Sequence, residues 1–340
     1  MTRLGFTCLK DDGPFLVEWL AHHLASGFDK MLVLTHDCTD GSDALMQSLT
    51  ADPRIEHVPF QWTGDKAVQW QALDLAAKHP SYRRADWALF FDVDEFLCLD
   101  GPTSLADLTP VEGCDAIALP WRFFGSSGRR EPAEGLTPER FTRAAQEDIH
   151  FPLAHLCKTL HRPASFQKPG VHRPRARKGQ VPRWKGPDGS DLPPAFSSSP
   201  HAISLYGLAR GKRLAWLNHY SLRSEQEFMV KRARGLPNHM AREIGMTYWV
   251  ERNWNSVEER TIARMLPATR AEYERLMALP GVAEAHQACL SVQREMIATM
   301  ETNIENVRFA FRLRLAGDSC APSAGHAERL LRAARIAGTN

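Results

Sequence analysis

Three carboxylates end an apolar run in the first third of the chain. The run from Trp87 to Phe91 is apolar at every position, and Asp92, Asp94 and Glu95 follow it. A run that is apolar on both faces predicts a strand buried in a parallel sheet, and such sheets bind ligands beyond the carboxyl ends of their strands. Because strand side chains alternate between faces, Asp92 and Asp94 should point the same way, ~6.6 Å apart along the chain. Two such carboxylates predict a site for Mg²⁺ or Mn²⁺, whose other positions the phosphates of a diphosphate substrate would fill.

The aspartate pair also has a plainer interpretation. Aspartates separated by one residue are common, and most lie in solvated turns or cap helices. A short motif of this kind therefore carries a real false-positive risk. The position directly after a buried-type strand favours a metal site, and the flanking sequence supports it.

The composition is that of an ordinary globular protein. Of the 340 residues, 43% are hydrophobic and 24% are charged, and the formal net charge is +2. So small a net charge gives no general reason to expect nucleic-acid or membrane binding. The seven cysteines contain no Cys-x-x-Cys pair, which argues against zinc-finger spacing and favours reduced thiols. With neither a signal segment nor a run near the ~18 apolar residues of a membrane span, we expect a cytoplasmic location.

The elements that position the carboxylates follow from hydrophobic periodicity. Strands and helices alternate over the first hundred residues, which predicts an α/β fold with a parallel, doubly wound layer. The predicted strands are Leu4–Leu9, Lys30–Thr35, Ile55–Phe60, Ala88–Phe91, Cys114–Trp121 and Leu214–Leu217. The predicted helices are Phe15–Ser26, a helix from Ser42 or Asp43 to Leu49, Lys66–Lys78, and one that a capping box at Ser224 starts and that runs through Arg234.

Two regions depart from this alternation. Residues 162–200 are rich in proline and basic residues, which predicts an irregular lid or acceptor loop, with a merely solvated loop as the alternative. The last hundred residues are helical in pattern, with predicted helices at Val257–Met265, Thr269–Ala278, Val282–Leu315 and Ala324–Ala337. We therefore expect a ligand-binding domain over residues 1–235 and a helical region over residues 236–340.

Several ordered segments resemble one enzyme family. These segments are Lys10-Asp11-Asp12, Glu18-Trp19 with His22-His23, Asp37 to Ser42, Trp87 to Phe96, Trp121 to Gly128, Lys158 to Pro163, and Asn218 to Gly235. Together they resemble the family 2-type glycosyltransferases, and most closely the subgroup with an Asp-Val-Asp-Glu-Phe signature, to which family 92 is related. The chain departs from the pattern at Asp11-Asp12, where Asn-Glu is expected, and at His36, where Asp or Asn is usual.

The resemblance implies an A-type glycosyltransferase (GT-A) fold, with a Rossmann-like, mostly parallel sheet flanked by helices. It also implies a divalent cation, Mn²⁺ or Mg²⁺, and a nucleotide-sugar donor, for which we expect a UDP-sugar. The activity expected from it is transfer of a sugar to a glycan or other hydroxyl acceptor, as in polysaccharide biosynthesis. By motif, Asp37 matches the position that contacts the nucleoside, and His219 matches a late histidine that completes the metal shell beside Asp94. The alternatives are a turn residue or helix cap for Asp37 and a structural histidine for His219.

Further site residues are predicted from their positions. Lys66 follows the third strand and Lys231 lies on the helix after Ser224, so both could neutralise donor phosphates. Gln71, with Gln69, could face the nucleotide. An inverting transfer needs a general base, and Glu131 is our candidate because it lies just past a glycine-rich loop. A solvent-exposed role is the alternative for Lys66 and Glu131, and a retaining enzyme would need no such base.

Two other functions use similar residues. A nucleotidyltransferase or another Mg²⁺-dependent phosphoryl-transfer enzyme also holds its metal with carboxylates, although the expected glycine-rich phosphate loop near the first strand is missing. A non-catalytic carbohydrate-binding protein could share the fold. Peripheral membrane association through a lipid-linked acceptor and a homodimer through the C-terminal helices are further expectations. The sequence does not specify the sugar, the acceptor or the stereochemical outcome.

Overall fold

The computed structural model describes residues 1–109, 113–208, 211–235 and 244–338. The strands are β1 (Arg3–Leu9), β2 (Lys30–His36), β3 (Ile55–Phe60), β4 (Trp87–Phe90), β5 (Glu95–Leu99), β6 (Ala116–Phe123), β7 (Arg143–Ala144), β8 (Cys157–His161), β9 (Phe166–Lys168), β10 (Arg175–Ala176), β11 (Trp184–Lys185), β12 (Ala215–His219) and β13 (Val257–Glu258). The helices are α1 (Gly13–Ala25), α2 (Ser42–Leu49), α3 (Val68–Ala76), α4 (Pro80–Arg84), α5 (Leu105–Leu108), α6 (Thr137–Arg140), α7 (Pro194–Ser198), α8 (Glu225–Arg234), α9 (Met246–Val250), α10 (Leu266–Met277), α11 (Val282–Glu301), α12 (Ile304–Ala316) and α13 (Ala324–Gly338).

One large sheet organises the described part of the chain. Its strand order is β3-β2-β1-β4-β8-β6-β12-β5, and β11 pairs with β6 at the side. The β3, β2, β1 and β4 strands run parallel to one another, and β6 runs parallel to β12. The β8 strand lies antiparallel between β4 and β6, and β5 lies antiparallel to β12. The predicted α/β fold, with a mostly parallel sheet, flanking helices and a helical C-terminal region, is confirmed.

Strand register places several loops at one edge of this sheet. Leu9 of β1 pairs with Thr35 of β2, and Phe6 of β1 pairs with Phe90 of β4. Parallel strands in register end together, so the segments that follow β1, β2 and β4 leave the sheet at the same edge. The Asp92 loop is one of these segments.

The main hydrophobic core lies between the sheet and the helices on one side of it. Leu16 and Leu20 of α1 are fully buried there, and so are Leu276, Val282 and Cys289 from the C-terminal helices. Each large apolar side chain buried in this way contributes roughly 1.5–3 kcal/mol. The C-terminal helices thus share a core with the sheet domain. The predicted domain boundary after residue 235 adjoins residues 236–243, which lie outside the described residues.

Two predicted C-terminal helices differ from the structure. Residues 282–315 form two helices, because Asn303 caps α12 by accepting hydrogen bonds from the backbone N–H groups of Glu305 and Asn306. Residues 257–265 contain a two-residue strand, β13, that pairs with β7, followed by a 3₁₀ turn. Tertiary pairing therefore overrides the helical pattern there. Among the described residues, none of the helices combines the length and the apolar character that a membrane-spanning helix requires.

The basic segment 162–200 is anchored to the sheet. Phe166, Trp184 and Phe196 are buried in a small cluster against β6. The guanidinium of Arg173 lies 3.8 Å from the centroid of the Trp184 ring and donates to the backbone oxygen of Phe196 at 3.0 Å. The proline-rich segment is therefore irregular but packed against the sheet. One of its strands, β11, extends that sheet.

Candidate active site

A cavity of about 200 Å³ opens at the sheet edge where Asp92 lies. Its walls come from the segments after β1 and β4, from α3, β6 and β12, from residues 171–172, from the end of α8 and from residues 248–252. The acidic, basic and imidazole side chains that line it are Asp12, Asp92, Asp94, His172, His219, Lys231, Arg234 and Arg252. The structure thus brings together the predicted Asp92, Asp94, His219 and Lys231.

A buried tryptophan contacts the backbone of the turn that carries Asp92, Asp94 and Glu95. The indole N–H of Trp19, on α1, lies 3.1 Å from the backbone oxygens of both Asp92 and Glu95. The backbone N–H of Asp92 donates to the Glu95 carboxyl at 3.1 Å. The backbone oxygen of Asp92 also accepts from the backbone N–H of Glu95 at 3.0 Å, so these bonds together fix the short connection between β4 and β5.

Asp92 is the more open of the two aspartates. Its side chain is 29% exposed, and its Oδ2 accepts from Nζ of Lys158 at 2.9 Å. Its Oδ1 accepts from Gln69 at 3.3 Å. Lys158 lies on β8 and is fully buried. Burial alone would lower the pKa of Lys158, but its acidic neighbours, Asp92 above all, outweigh it and raise the pKa, so the lysine is charged at neutral pH.

Asp94 lies deeper, beneath a lysine and a histidine. Its Oδ2 accepts from Nζ of Lys231 at 2.6 Å, and its Oδ1 lies 3.4 Å from Nε2 of His219. Burial alone would raise the pKa of Asp94, but Lys231 and His219 outweigh it and hold the pKa well below its usual range. Antiparallel pairing of β5 with β12 sets His219 opposite Glu95, beside this carboxylate.

Glu95 is the third carboxyl of the motif and is fully buried. Burial raises its pKa well above the usual range, and although the charge of Lys158, 3.6 Å away, opposes this, the nearby Asp92 and Asp94 add to it. A neutral Glu95 leaves two carboxylates at the cavity, each paired with a lysine. Glu95 therefore supports the turn, and Asp92 and Asp94 carry the charge.

The residues present fit a divalent cation that takes few protein ligands. Among the described residues, Oδ1 of Asp94 and Nδ1 of His219 are buried without a hydrogen-bond partner. The 3.4 Å between Asp94 Oδ1 and His219 Nε2 suits two ligands of one ion, each ~2.1 Å from it. Within the described ranges, no cluster of three or more His, Cys, Asp or Glu side chains is placed to hold a metal. Mg²⁺ and Mn²⁺ often bind through one or two carboxylates together with substrate phosphates.

Four predicted site residues lie outside the cavity lining. Asp37 follows β2 in a left-handed conformation, with φ of 47°, and its carboxylate lies 3.1 Å from Nδ1 of His36. Lys66 pairs with Asp74 at the surface. Gln71 bonds with Gln61 and Thr63, and Glu131 is exposed. These four stay predictions as donor or base contacts, while Gln69, named beside Gln71, does line the cavity.

The glycine-rich loop after β6 meets a segment of its own chain. The Gly125 N–H donates to the backbone oxygen of Trp254 at 2.8 Å, and the backbone N–H groups of Ser126 and Ser127 donate to the side chains of Asn253 and Asn255, both at 2.9 Å. At Gly125 the backbone of this loop therefore lies against the C-terminal region.

Sequence reasoning missed three basic residues beside the aspartates. In the sequence, Lys158 appears only within a segment that resembles the family. Its burial is not predicted, because a single lysine on a strand gives no periodic signal. Arg223 is buried with φ of 58°; it donates to the backbone oxygen of Val93 at 3.2 Å, and its guanidinium lies 3.5 Å from the centroid of the Phe15 ring. Arg234 pairs with Asp12 and donates to the backbone oxygen of Asp11 at 2.7 Å, which ties α8 to the loop after β1.

Comparison with known proteins finds one family. The model of glycosyltransferase family 92 matches residues 11–185. A family 92 protein of Ricinus communis is 26% identical over 137 residues, which cover 38% of this chain and 24% of that protein. A family 92 protein of Oryza sativa subsp. japonica is 24% identical over 149 residues, covering 42% of this chain and 25% of that protein. The match to this chain thus spans about a quarter of the length of these relatives.

The solved structures that align with this chain have lower sequence identity to it than these relatives do. The crystal structure of residues 1–349 of S. aureus TarS is 12% identical, covers 89% of this chain and 92% of that chain, and has a TM-score of 0.37. The same fragment in complex with UDP is 10% identical, with the same coverage and a TM-score of 0.36. HddC from Yersinia pseudotuberculosis is 9% identical, covers 65% and 89% of the two chains, and has a TM-score of 0.27.

Proposed function

Since the chain belongs to glycosyltransferase family 92, we propose that it transfers a sugar from a nucleotide-sugar donor to a hydroxyl group of an acceptor. The membership confirms the resemblance seen in the motifs. The observation that carries the proposal is the cavity at the carboxyl end of β4. There, Asp92 and Asp94 face one space together with Lys231 and His219.

The proposed donor is a UDP-sugar, held through its diphosphate. Asp94 and His219 would hold Mn²⁺ or Mg²⁺ together with the donor diphosphate, and Asp92, the third predicted ligand, lines the same cavity. When bound, the cation would neutralise negative charge on the diphosphate leaving group. Lys231 supports the same assignment, since its charged ammonium is 2.6 Å from Asp94 and lines the cavity.

The chain's own residues would orient and shield the donor. Trp19 fixes the backbone of the aspartate turn, and Arg234 fixes the loop after β1 against α8. With those loops positioned by buried contacts, little reorganisation is needed when a charged donor arrives. The acceptor we propose is a glycan hydroxyl, which would enter beside Trp121 and His172 on the cavity wall.

A binding and turnover experiment tests this function. Thermal unfolding of the purified chain is measured with a panel of nucleotide sugars, with and without Mn²⁺, and release of nucleotide diphosphate is followed with glycan acceptors. We expect one donor to raise the unfolding temperature only with the metal present. Asp92→Asn and Asp94→Asn should abolish that shift and turnover. Asp191→Asn is the matched control, because that carboxylate is 79% exposed and pairs with Lys185 away from the cavity.

Other outcomes would identify the other candidate functions. Stabilisation by nucleoside triphosphates in place of nucleotide sugars would indicate nucleotidyl or phosphoryl transfer. Stabilisation by glycans alone, with no nucleotide effect, would indicate a carbohydrate-binding protein without catalysis. Either result would overturn the proposed transfer.

A further inference from the structure

A second imidazole lines the cavity and has no role in the donor site described above. His172 lies between β9 and β10, in the basic segment that packs on the sheet. Its Nδ1 is 3.1 Å from the backbone oxygen of Cys157. The Trp121 ring meets it edge to face, with ring centroids 5.2 Å apart. These contacts hold the ring in one orientation on the cavity wall.

The Cys157 contact selects the tautomer of this ring. A backbone carbonyl can only accept a hydrogen bond, so Nδ1 of His172 carries the proton. The other nitrogen, Nε2, then carries a lone pair. In the described part of the chain, Nε2 makes no hydrogen bond and is not among the fully buried unpaired atoms. Burial, with the charge of Lys158 nearby, lowers the pKa of His172 to about 4, so the ring is neutral at pH 7.

The carboxylates on the cavity wall already have partners. Asp12 pairs with Arg234, Asp92 with Lys158 and Asp94 with Lys231. His219 directs its Nε2 toward Asp94. Nδ1 of His219 is unpaired but fully buried, so among the described imidazoles that line the cavity His172 offers the unengaged nitrogen that is not fully buried.

We propose that His172 is the general base that accepts the proton of the acceptor hydroxyl. This rests on the proposed glycosyl transfer. In the step, the hydroxyl proton moves to Nε2 of His172 as the acceptor oxygen forms its bond to the anomeric carbon. The bond from that carbon to the diphosphate oxygen breaks, and its electron pair leaves with the nucleotide diphosphate. The imidazolium then returns its proton to water.

The test compares His172→Asn with the wild-type chain. The Asn side-chain amide can keep the hydrogen bond to the Cys157 oxygen but offers no lone pair at the Nε2 position. We expect transfer to fall roughly 10²–10⁴-fold, with the metal-dependent shift by donor unchanged and an inverted product by NMR of the wild-type reaction. Glu131→Gln tests the base predicted from sequence, and Asp191→Asn, at an exposed position, is the control that should transfer at the wild-type rate.

Azide separates a lost base from a damaged site. Azide is an anionic nucleophile with no proton to lose, so it should restore release of nucleotide diphosphate, as glycosyl azide forms, in His172→Ala. It should not restore release in Asp94→Asn. Rescue in the alanine variant keeps the test valid if His172→Asn folds poorly.

Distinct results would overturn the proposal. Transfer by His172→Asn within about threefold of wild type, a product with retained configuration, or loss of transfer in Glu131→Gln would each reject His172 as the base. All three leave donor binding and transfer by the wild-type chain intact. A wild-type chain that neither binds nor turns over any nucleotide sugar would reject the proposed function, and the base assignment with it.

Discussion

The ammonium group of Lys231 lies 2.6 Å from Oδ2 of Asp94, although the two residues are 137 positions apart in the chain. Both side chains are about nine-tenths buried. Lys231 also donates to the backbone oxygen of Ser221 at 2.9 Å. The ion pair thereby links helix α8 to the aspartate turn. We expect the same pair to contribute to the stability of the fold and to set the charge at the cavity.

Removal of Lys231 should destabilise the fold. In Lys231→Met, Asp94 would stay buried without its closest cation, which typically costs about 3 kcal/mol or more of unfolding free energy. Urea unfolding measures the change. Lys212→Met is the control, because Lys212 is 77% exposed, and its effect should stay within ~0.5 kcal/mol.

A double variant checks the cause of this loss. Asp94→Asn combined with Lys231→Met removes both charges, so it should recover much of the stability that Lys231→Met loses. Equal losses in the single and double variants would show that packing of the lysine stem, and not the unpaired carboxylate, is responsible.

Glu95 should make the fold less stable as pH rises. Its pKa is raised in the folded state by burial, whereas in the unfolded chain it is about 4.3. Folding then favours the protonated form, so its contribution is fully present below pH ~4.3 and is lost as pH rises through the folded-state pKa. Urea unfolding of wild type and Glu95→Gln at several pH values between 4 and 9 measures the effect.

The glutamine variant should lack this part of the pH dependence. Glu95→Gln keeps the shape of the side chain and cannot ionise, so its stability relative to wild type should increase with pH. Parallel pH profiles for the two proteins would show that Glu95 does not change its protonation on folding. Asp191→Asn, at an exposed position, serves as the control and should follow wild type.

Substitution of Trp19 should loosen the aspartate turn. Trp19→Phe keeps an aromatic ring in the core but removes the N–H that contacts the oxygens of Asp92 and Glu95. The Asp92 oxygen would keep its bond from the Glu95 N–H, but the Glu95 oxygen would lose this donor, and a buried carbonyl without one costs about 1–3 kcal/mol. Turnover should fall because the carboxylates are less well positioned. Trp70→Phe, at a residue that is 42% exposed, should change neither quantity. Wild-type stability and turnover in Trp19→Phe would contradict this role.

A methyl group at Gly125 should act on stability through the C-terminal region. A Cβ there would lie 2.6 Å from the backbone oxygen of Trp254, so Gly125→Ala should cost about 1–3 kcal/mol of unfolding free energy. Gly325→Ala, in the open helix α13, should be neutral or slightly stabilising. If Gly125→Ala were as stable as wild type and had lost only donor affinity, the result would instead indicate that this loop contacts the donor.

The sequence predicts local elements well where one signal dominates. The α2 and β3 bounds agree with the structure at Ser42–Leu49 and Ile55–Phe60, because the apolar pattern of a short element depends on a few neighbouring residues. The sequence does not predict the antiparallel insertion of β8 between β4 and β6. Strand neighbours far apart in the chain are chosen by packing of the whole sheet, and periodicity carries no information about them.

For the site, the sequence by itself determined that an apolar strand is followed at once by Asp92 and Asp94. The predicted strand alternation does not apply to these two residues, because β4 ends at Phe90 and both lie in the turn before β5. Tertiary structure alone decided what surrounds these carboxylates. Lys158 comes from β8, His219 from β12 and Lys231 from α8, and each reaches the turn through pairing or packing over long stretches of chain. The physical reason is the distance along the chain over which each property is set. The order of residue types is a property of neighbouring positions, whereas the charge and burial of a carboxyl group depend on groups that only the folded chain brings near.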